Sequence, residues 1–481
     1  MQPALVRKIL GLLLMMFSGS MLPPTFVSVF YSDGEVFHFL GASAVTLAVG
    51  LALWVPVRGV RRDLRARDGF IIVTMFWTVL SLVSALPFLF APHLSYTDAV
   101  FEAVSGFTTT GATVIAALEV LPESVLYYRQ QLQWLGGAGI IVLAVAILPM
   151  LGVGGMQLYR AEVPGPVKSD KLTPRIAQTA QAFWYMYVSM TLACAAAYWL
   201  AGMTVFDAIA HSLTTISTGG FSPHDASMAY FDSVAIELIA IVFMLLGAMN
   251  FAIHFAAWRG GSLVAYLRDP EVRTFLGLSA SFVVLFTVVL AWLGEYPSPI
   301  DALRHAGFQV VSVITSTGYT TQSFAAWPLF LPILLIIISF IGGCAGSTAG
   351  GMKVLRMMLM YKQGLRELKR LIHPRSVLPI KVGGKTVQED VLATVWGFFA
   401  LYLLATIILT MVLMATGLDA VSAFSAVAAS INVLGPGLGS VAANFASVPD
   451  VGKWALAFAM LLGRLEVFTL MVLLTPAFWR Q

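Results

Sequence analysis

The sequence predicts an all-α polytopic membrane protein with ten transmembrane helices, an N-terminal pair followed by four copies of one re-entrant unit in pseudo-fourfold arrangement. Three observations carry this. Of 481 residues, 59% are hydrophobic and only 11% charged, against roughly 25% charged in soluble domains. Apolar blocks long enough to cross a hydrocarbon core of roughly 30 Å recur from end to end. Four connections between blocks are themselves long and apolar, and each opens on the dipeptide Asp-Ala.

The first span, 5–30, follows Arg7 and Lys8 in the manner of a secretory signal. It is too long for a signal core of roughly 7 to 15 residues and is expected to remain as helix. The second span is 36–57. The others are 70–90 and 130–151, 180–200 and 234–258, 274–293 and 329–360, and 391–416 and 454–478, each pair enclosing one Asp-Ala connection. The units are therefore 1–68, 69–160, 161–262, 263–375 and 376–481. Ten crossings return both termini to one side. All 28 lysines and arginines except Arg129, Arg304, Lys453 and Arg464 fall on that side, which makes it the cytoplasm. Topology thus accounts for a pI near 9.0, and no nucleic-acid surface is needed. Cys194 and Cys344 lie in apolar surroundings, so neither a disulfide framework nor a cysteine metal site is available.

The four connections repeat one design. Asp98, Asp207, Asp301 and Asp419 are expected as helix N-caps. Each precedes an apolar stretch too short to cross the membrane, about ten residues in the first unit, or about 15 Å of helix. Each half-helix runs into a glycine-bearing strip: Phe107 to Ala112, Ile216 to Phe221, Thr315 to Thr320 and Asn432 to Gly437. Irregular backbone at membrane depth is tolerated only when buried in protein or lining a cavity. Four such strips converging on one axis would present rings of carbonyls able to replace the hydration shell of a cation. The half-helices would aim their negative C-terminal ends at it. The expected filter residues are Thr109, Thr110 and Gly111; Ser217, Thr218 and Gly219; Ser316, Thr317 and Gly318; and Val433, Leu434 and Gly435. A single strip of this kind is more often a surface turn, but four in phase between an Asp-led half-helix and a span are not. The fourth strip lacks hydroxyl side chains.

Within 329–360 runs Gly-Gly-Cys-Ala-Gly-Ser-Thr-Ala-Gly-Gly, where each glycine costs helix about 1 kcal/mol relative to alanine. Gly342, Gly346 and Gly350 have GxxxG spacing, but ten small or polar residues exceed what helix packing needs. The helix is expected to break into a loop beneath the filter, with Gly342, Gly343, Gly346, Ser347, Thr348, Gly350 and Gly351 as gate residues. Arg464 lies mid-span, where a cation costs roughly 2.5–3.5 kcal/mol, so it must face something polar. Either it bridges to a buried acid or it forms an electrostatic barrier beside the gate; Glu466 stands on another helix face. Val382-Gly383-Gly384-Lys385-Thr386 is no nucleotide loop, because the first glycine of that motif would fall on Pro379. The basic stretch 353–385 reads instead as a cytoplasmic platform for membrane lipid headgroups or a partner protein.

Enzyme chemistry finds no support, since H-E-x-x-H and G-x-S-x-G are absent and the seven histidines are scattered; His211 and His305, in half-helices, are read as packed. An organic-solute transporter would predict two inverted repeats. No row of intramembrane carboxylates marks a proton relay, and the residues fit passive conduction and coupled transport alike.

Ser105 to Thr113, His211-Ser212 running to Ser217–Phe221, Phe308 to Ser312, Asn432 to Gly439 and Leu462 to Glu466 resemble the membrane subunit of the Trk potassium uptake systems, in the Trk/Ktr/HKT superfamily. The resemblance covers nearly the whole chain. It implies one potassium pathway per chain through a selectivity filter of four pore repeats, an intramembrane loop as gate, and an arginine beside it at position 464. It further implies potassium uptake across the bacterial inner membrane, a homodimer, a cytosolic ring of nucleotide-binding (TrkA-like) regulatory subunits, and potassium without an organic cofactor. In that superfamily a serine at the first filter glycine is associated with sodium permeation, and here position 111 is glycine. Ala349 stands where the family usually has glycine.

Overall fold

The computed structural model describes residues 2–60, 66–90, 93–146 and 176–480, nearly all of them helix or the short strips between helices. The N-terminal helices Pro3–Ser18, continued as Leu22–Tyr31, and Val36–Trp54 lie side by side. Glycine permits this approach: a Cβ on Gly11 would sit 2.8 Å from the Gly50 carbonyl, and one on Gly50 would sit 2.9 Å from that of Gly11. Arg7 donates to Leu53 and Ala52, so a cation covers the carbonyl-rich end of the second helix.

An order of long helix, short buried helix, non-helical strip and helix recurs four times. The long incoming helices are Ala66–Ser84 with Leu86–Phe90, Ile176–Leu200, Pro270–Leu293 and Glu389–Ala415. The short helices are Tyr96–Phe107, Val205–Ile216, Pro299–Ile314 and Ala420–Ile431. Their C-terminal halves are wholly buried, polar side chains included. Among the described residues, five helices qualify as membrane spans by length and composition, or six if one bent pair counts as a span.

Two of the four outgoing helices are broken where the sequence expectation had them continuous. The first, Glu123–Ala146, starts earlier than 130, and the end of its expected window lies outside the described residues. The second is not continuous over 234–258: Val234–Gly247 and Phe251–Gly260 are bent by 100°, and Asn250 starts the second piece by accepting from the Ala252 N–H at 2.8 Å. The third stops at Ser339 and resumes as Val354–Ile372, with the expected break between. The fourth is interrupted at Leu465 between Asp450–Arg464 and Glu466–Leu474. Hydropathy averages over such breaks, because a bend needs only a few residues whose backbone groups find other partners.

Beyond the third break, Val354–Ile372 carries an apolar face whose Leu355 and Leu359 pack with Ile380, Val382, Leu392 and Val395. Lys381–Val382 and Lys385–Thr386 form a small antiparallel hairpin. Gly383 and Gly384, both at positive φ, make the turn that such a hairpin requires, so the glycines that suggested a phosphate loop serve backbone geometry.

Candidate ion pathway

The short helices begin on capping motifs, and here the sequence reading needs correction. Only Asp419 is itself an N-cap, accepting from the N–H groups of Val421 and Ser422 at 3.1 Å. In the other three the caps are Ser95, Thr204 and Ser298, whose hydroxyls accept from the N–H groups of Asp98, Asp207 and Asp301. Each hydroxyl then donates to the same aspartate's carboxylate, at 2.9, 2.7 and 2.7 Å. The aspartates thus occupy the third helical position, where Ser/Thr-x-x-acid boxes put them and where their charge favours the helix N-terminus.

All four C-terminal ends leave the helix identically. The caps Thr108, Ser217, Thr315 and Asn432 keep helical angles. Thr109, Thr218, Ser316 and Val433 are left-handed, with φ of 61°, 51°, 54° and 59°. The next residues, Thr110, Gly219, Thr317 and Leu434, each donate an N–H five residues back at 2.8 Å, to Ser105, Thr214, Ser312 and Ala429. Gly111, Gly220, Gly318 and Gly435 follow at φ of 82°, 80°, 82° and 96°. This register moves the second strip by one residue: Gly220, not Gly219, is the equivalent of Gly111. Ser217 is accordingly a helix cap, and Gly219 matches Thr110. Left-handed Val433 is a strained conformation for a β-branched residue, of the kind concentrated at functional sites.

These glycines bring the strips together in a closed cycle. A Cβ on Gly111 would lie 2.2 Å from the Gly219 oxygen, one on Gly220 1.8 Å from the Thr317 oxygen, and one on Gly318 2.0 Å from the Leu434 oxygen. A Cβ on Gly435 would lie 2.9 Å from the Thr110 oxygen, which returns to the first strip. Each strip therefore touches the next by backbone against backbone, and no side chain fits between them. Outside the ring the four glycines line an open cavity of about 520 Å³, together with residues such as Thr113, Asp225 and Asn444. At its rim burial and neighbouring Glu119 raise the Asp225 carboxyl, while hydrogen bonding with Asp225 lowers that of Glu119.

Behind the strips lies a set of buttresses that the sequence reading missed. The residue six positions before the cap is Glu102, His211, Gln309 or Ala426. Glu102 accepts from the Val114 N–H and the Thr113 hydroxyl, and pairs with the equally buried Arg129 at 2.8 Å. Arg129 also donates to the Ser222 carbonyl and lies 4.2 Å from the Phe221 ring centroid. His211 bonds Ser222 at 3.0 Å, and Gln309 donates to the Gln322 carbonyl at 2.9 Å. The fourth unit uses the adjacent Ser425, which accepts from the Leu438 N–H. Counting back from each cap would have exposed this polar column in three of the four helices.

On the other side of the ring lies the 340–353 loop, turned by Gly342, Gly346 and Gly351 at φ near 70°. Thr348 donates to the carbonyls of Ile216 and Gly247, at 3.0 and 2.9 Å. The Gly350 N–H donates to the Ser316 hydroxyl at 2.6 Å, and the Gly351 N–H to the Asn432 carbonyl at 3.1 Å. Ser347 turns inward to the Cys344 carbonyl, and a Cβ on Gly343 would lie 2.8 Å from the Ala248 oxygen. Arg464 completes the contacts, donating to the Thr348 carbonyl at 2.8 Å and the Gly136 carbonyl at 3.0 Å. Among the described residues its hydrogen bonds go to main-chain oxygen; the nearby acid, Glu466, pairs with Arg356 at 2.8 Å. The loop is therefore tied to the ends of three half-helices and, through Arg464, to the helix that follows the first.

Comparison with known proteins agrees with this architecture. A family model described as TrkH, cation transport protein, matches residues 35–480. The Trk system potassium uptake protein TrkH of Vibrio parahaemolyticus is 56% identical, with 100% of both chains covered. Its namesake from Escherichia coli K12 is 54% identical over 99% of each, and TrkG of the same organism is 43% identical over 99% of this chain and 98% of its own. The crystal structure of the potassium transporter TrkH from Vibrio parahaemolyticus superposes with a TM-score of 0.93 at 54% identity, covering all of both chains. Full-length identity on this scale, together with the shared fold, means that the chain belongs to the TrkH family of cation transport proteins, membrane transporters rather than enzymes.

Proposed function

We propose that this chain takes up potassium across the bacterial inner membrane, conducting the dehydrated ion along the axis enclosed by the four strips. The single observation that carries the proposal is the closed cycle of glycine against carbonyl; on this reading main-chain oxygen lines the axis and replaces the hydration shell of the ion. On this reading the filter is 109–111, 218–220, 316–318 and 433–435, with potassium as the ion held there. Four half-helix C-termini point their partial negative charge at it. The relatives carry potassium in their names, which favours it over sodium.

Ten crossings with cytoplasmic termini, an N-terminal pair at 1–68 and pore repeats at 69–160, 161–262, 263–375 and 376–481 complete the proposed topology. The 340–353 loop is the gate, directly below the filter, with Arg464 supplying both a cross-tie and a positive charge that repels cations. The relatives belong to a Trk system, which fits a homodimer controlled by a cytosolic ring of nucleotide-binding subunits. The basic helix Val354–Ile372, with Tyr361, Leu368, Leu371 and Ile372 exposed, is the expected seat of that control.

Rubidium uptake into liposomes holding the purified chain tests the proposal. Uptake should be blocked by external potassium far better than by sodium, and equal competition by the two ions would overturn the filter. Deleting part of 343–350 should raise uptake without the partner, and so should Arg464→Ala. Unchanged or lower uptake in folded deletion protein would refute the gate.

A further inference from the structure

We propose that Gln133 is a specificity-determining residue of this pathway, a side chain borrowed from a neighbouring unit to lock the carbonyl of Gly219. The inference rests on the reading of the strips as a filter and names a residue outside them. At the layer of Thr110, Gly219, Thr317 and Leu434, three of the four residues have a side chain to hold them. The Thr110 hydroxyl bonds that of Thr108 at 2.8 Å, and Thr317 bonds Thr315 at the same distance. Leu434 is fully buried. Gly219 has no such anchor, and Gly220 follows it. The peptide between them is flanked by two residues without Cβ, so its rotation meets less steric resistance than any other in the ring.

Gln133, from Glu123–Ala146, fills the space that a side chain at 219 would take: a Cβ there would lie 2.3 Å from Gln133 Oε1. Its Nε2 donates to the Gly219 carbonyl at 2.8 Å, and its Oε1 accepts from the Phe221 N–H at 3.0 Å. The carboxamide thus grips the chain on both sides of Gly220, one group before and one after. A rotated 219–220 peptide would break the first bond and turn an N–H toward the ion in place of an oxygen. The carboxamide provides both functions on one rigid plane, whereas an alkyl chain provides neither. The residue is wholly buried, so neither group has water as a substitute.

The test uses the full chain in liposomes, reading the potassium-to-sodium permeability ratio from reversal potentials. Gln133→Leu should lower that ratio by about tenfold, the scale of one buried hydrogen bond lost. Gln133→Met keeps the volume and loses the donor, so it should lower the ratio too, and it carries the test if the leucine variant does not fold. Gln133→Ala combined with Gly219→Thr restores a local hydroxyl as at Thr110 and should recover selectivity over Gln133→Ala alone. A folded Gln133→Leu or Gln133→Met protein with the wild-type ratio would overturn the inference while leaving the filter reading intact. A wild-type chain that does not prefer potassium would instead defeat the filter reading itself.

Discussion

Four glycines at φ of 80° to 96° are the residues on which the axis closes. Each fulfils two demands that no other residue meets, a left-handed backbone and contact with the next strip's oxygen. Gly318→Ala makes both demands fail, since its Cβ would fall 2.0 Å from the Leu434 oxygen. It should cost about 1–3 kcal/mol in stability and reduce rubidium flux by tenfold or more. Thermal unfolding in detergent and liposome flux measure the two effects, and a variant that matches wild type in both would mean that the strips do not touch. The same residues mark where sequence was insufficient. Ser-Thr-Gly-Gly offers two glycines for one role, and letters alone favour the first. The bond from the Gly219 N–H to Thr214, matching Thr110 to Ser105, assigns the role to the second.

At the scale of elements, the half-helices and the break in the third outgoing helix are legible because propensity and spacing speak directly. What holds the broken segment is not legible. Glu271, in the first turn of Pro270–Leu293, accepts from the Ala345 N–H at 2.7 Å and the Leu355 N–H at 3.2 Å, one within the loop and one in the first turn of the helix that follows it. It is buried, and the exposed segment Val264–Arg268 leads into its helix. Glu271→Ala removes an acceptor from two buried donors, at about 1–3 kcal/mol each. The variant should open the loop, raise partner-free rubidium uptake and make the buried Cys344 thiol reactive to a polar thiol reagent. Glu271→Gln retains an acceptor oxygen and should behave nearly as wild type. Equal thiol reactivity in the alanine variant and wild type would show that Glu271 does not hold the loop.

Across the whole molecule, buried and half-buried charge joins one unit to the next. Arg304 pairs with Glu237 at 2.7 Å and Lys453 with Asp98 at 2.6 Å, while Arg129 carries its bond to Glu102 onward to Ser222. Sequence analysis isolated Arg129, Arg304, Lys453 and Arg464 as the cations that topology does not use. The structure puts every one of them in contact with a neighbouring unit. Removing one partner of a buried pair costs more than removing the pair. Arg129→Met should therefore destabilise by about 3–5 kcal/mol, and adding Glu102→Gln should recover part of that loss. A double-mutant cycle by thermal unfolding reads the coupling, and strict additivity would mean that the pair is not coupled.

The sequence by itself determined the class of protein, the four short buried helices and the break in the third outgoing helix. These follow from composition, charge and local propensity, which each segment carries alone. Only the tertiary structure decided the register of the second strip, the breaks in the second and fourth outgoing helices, and the buttresses at Glu102, Arg129 and Gln133. Those depend on which backbone group meets which partner across more than 80 residues of chain in the case of Gln133 and Gly219. No periodicity records such a meeting, because the geometry belongs to the packed ring and not to any one segment of it.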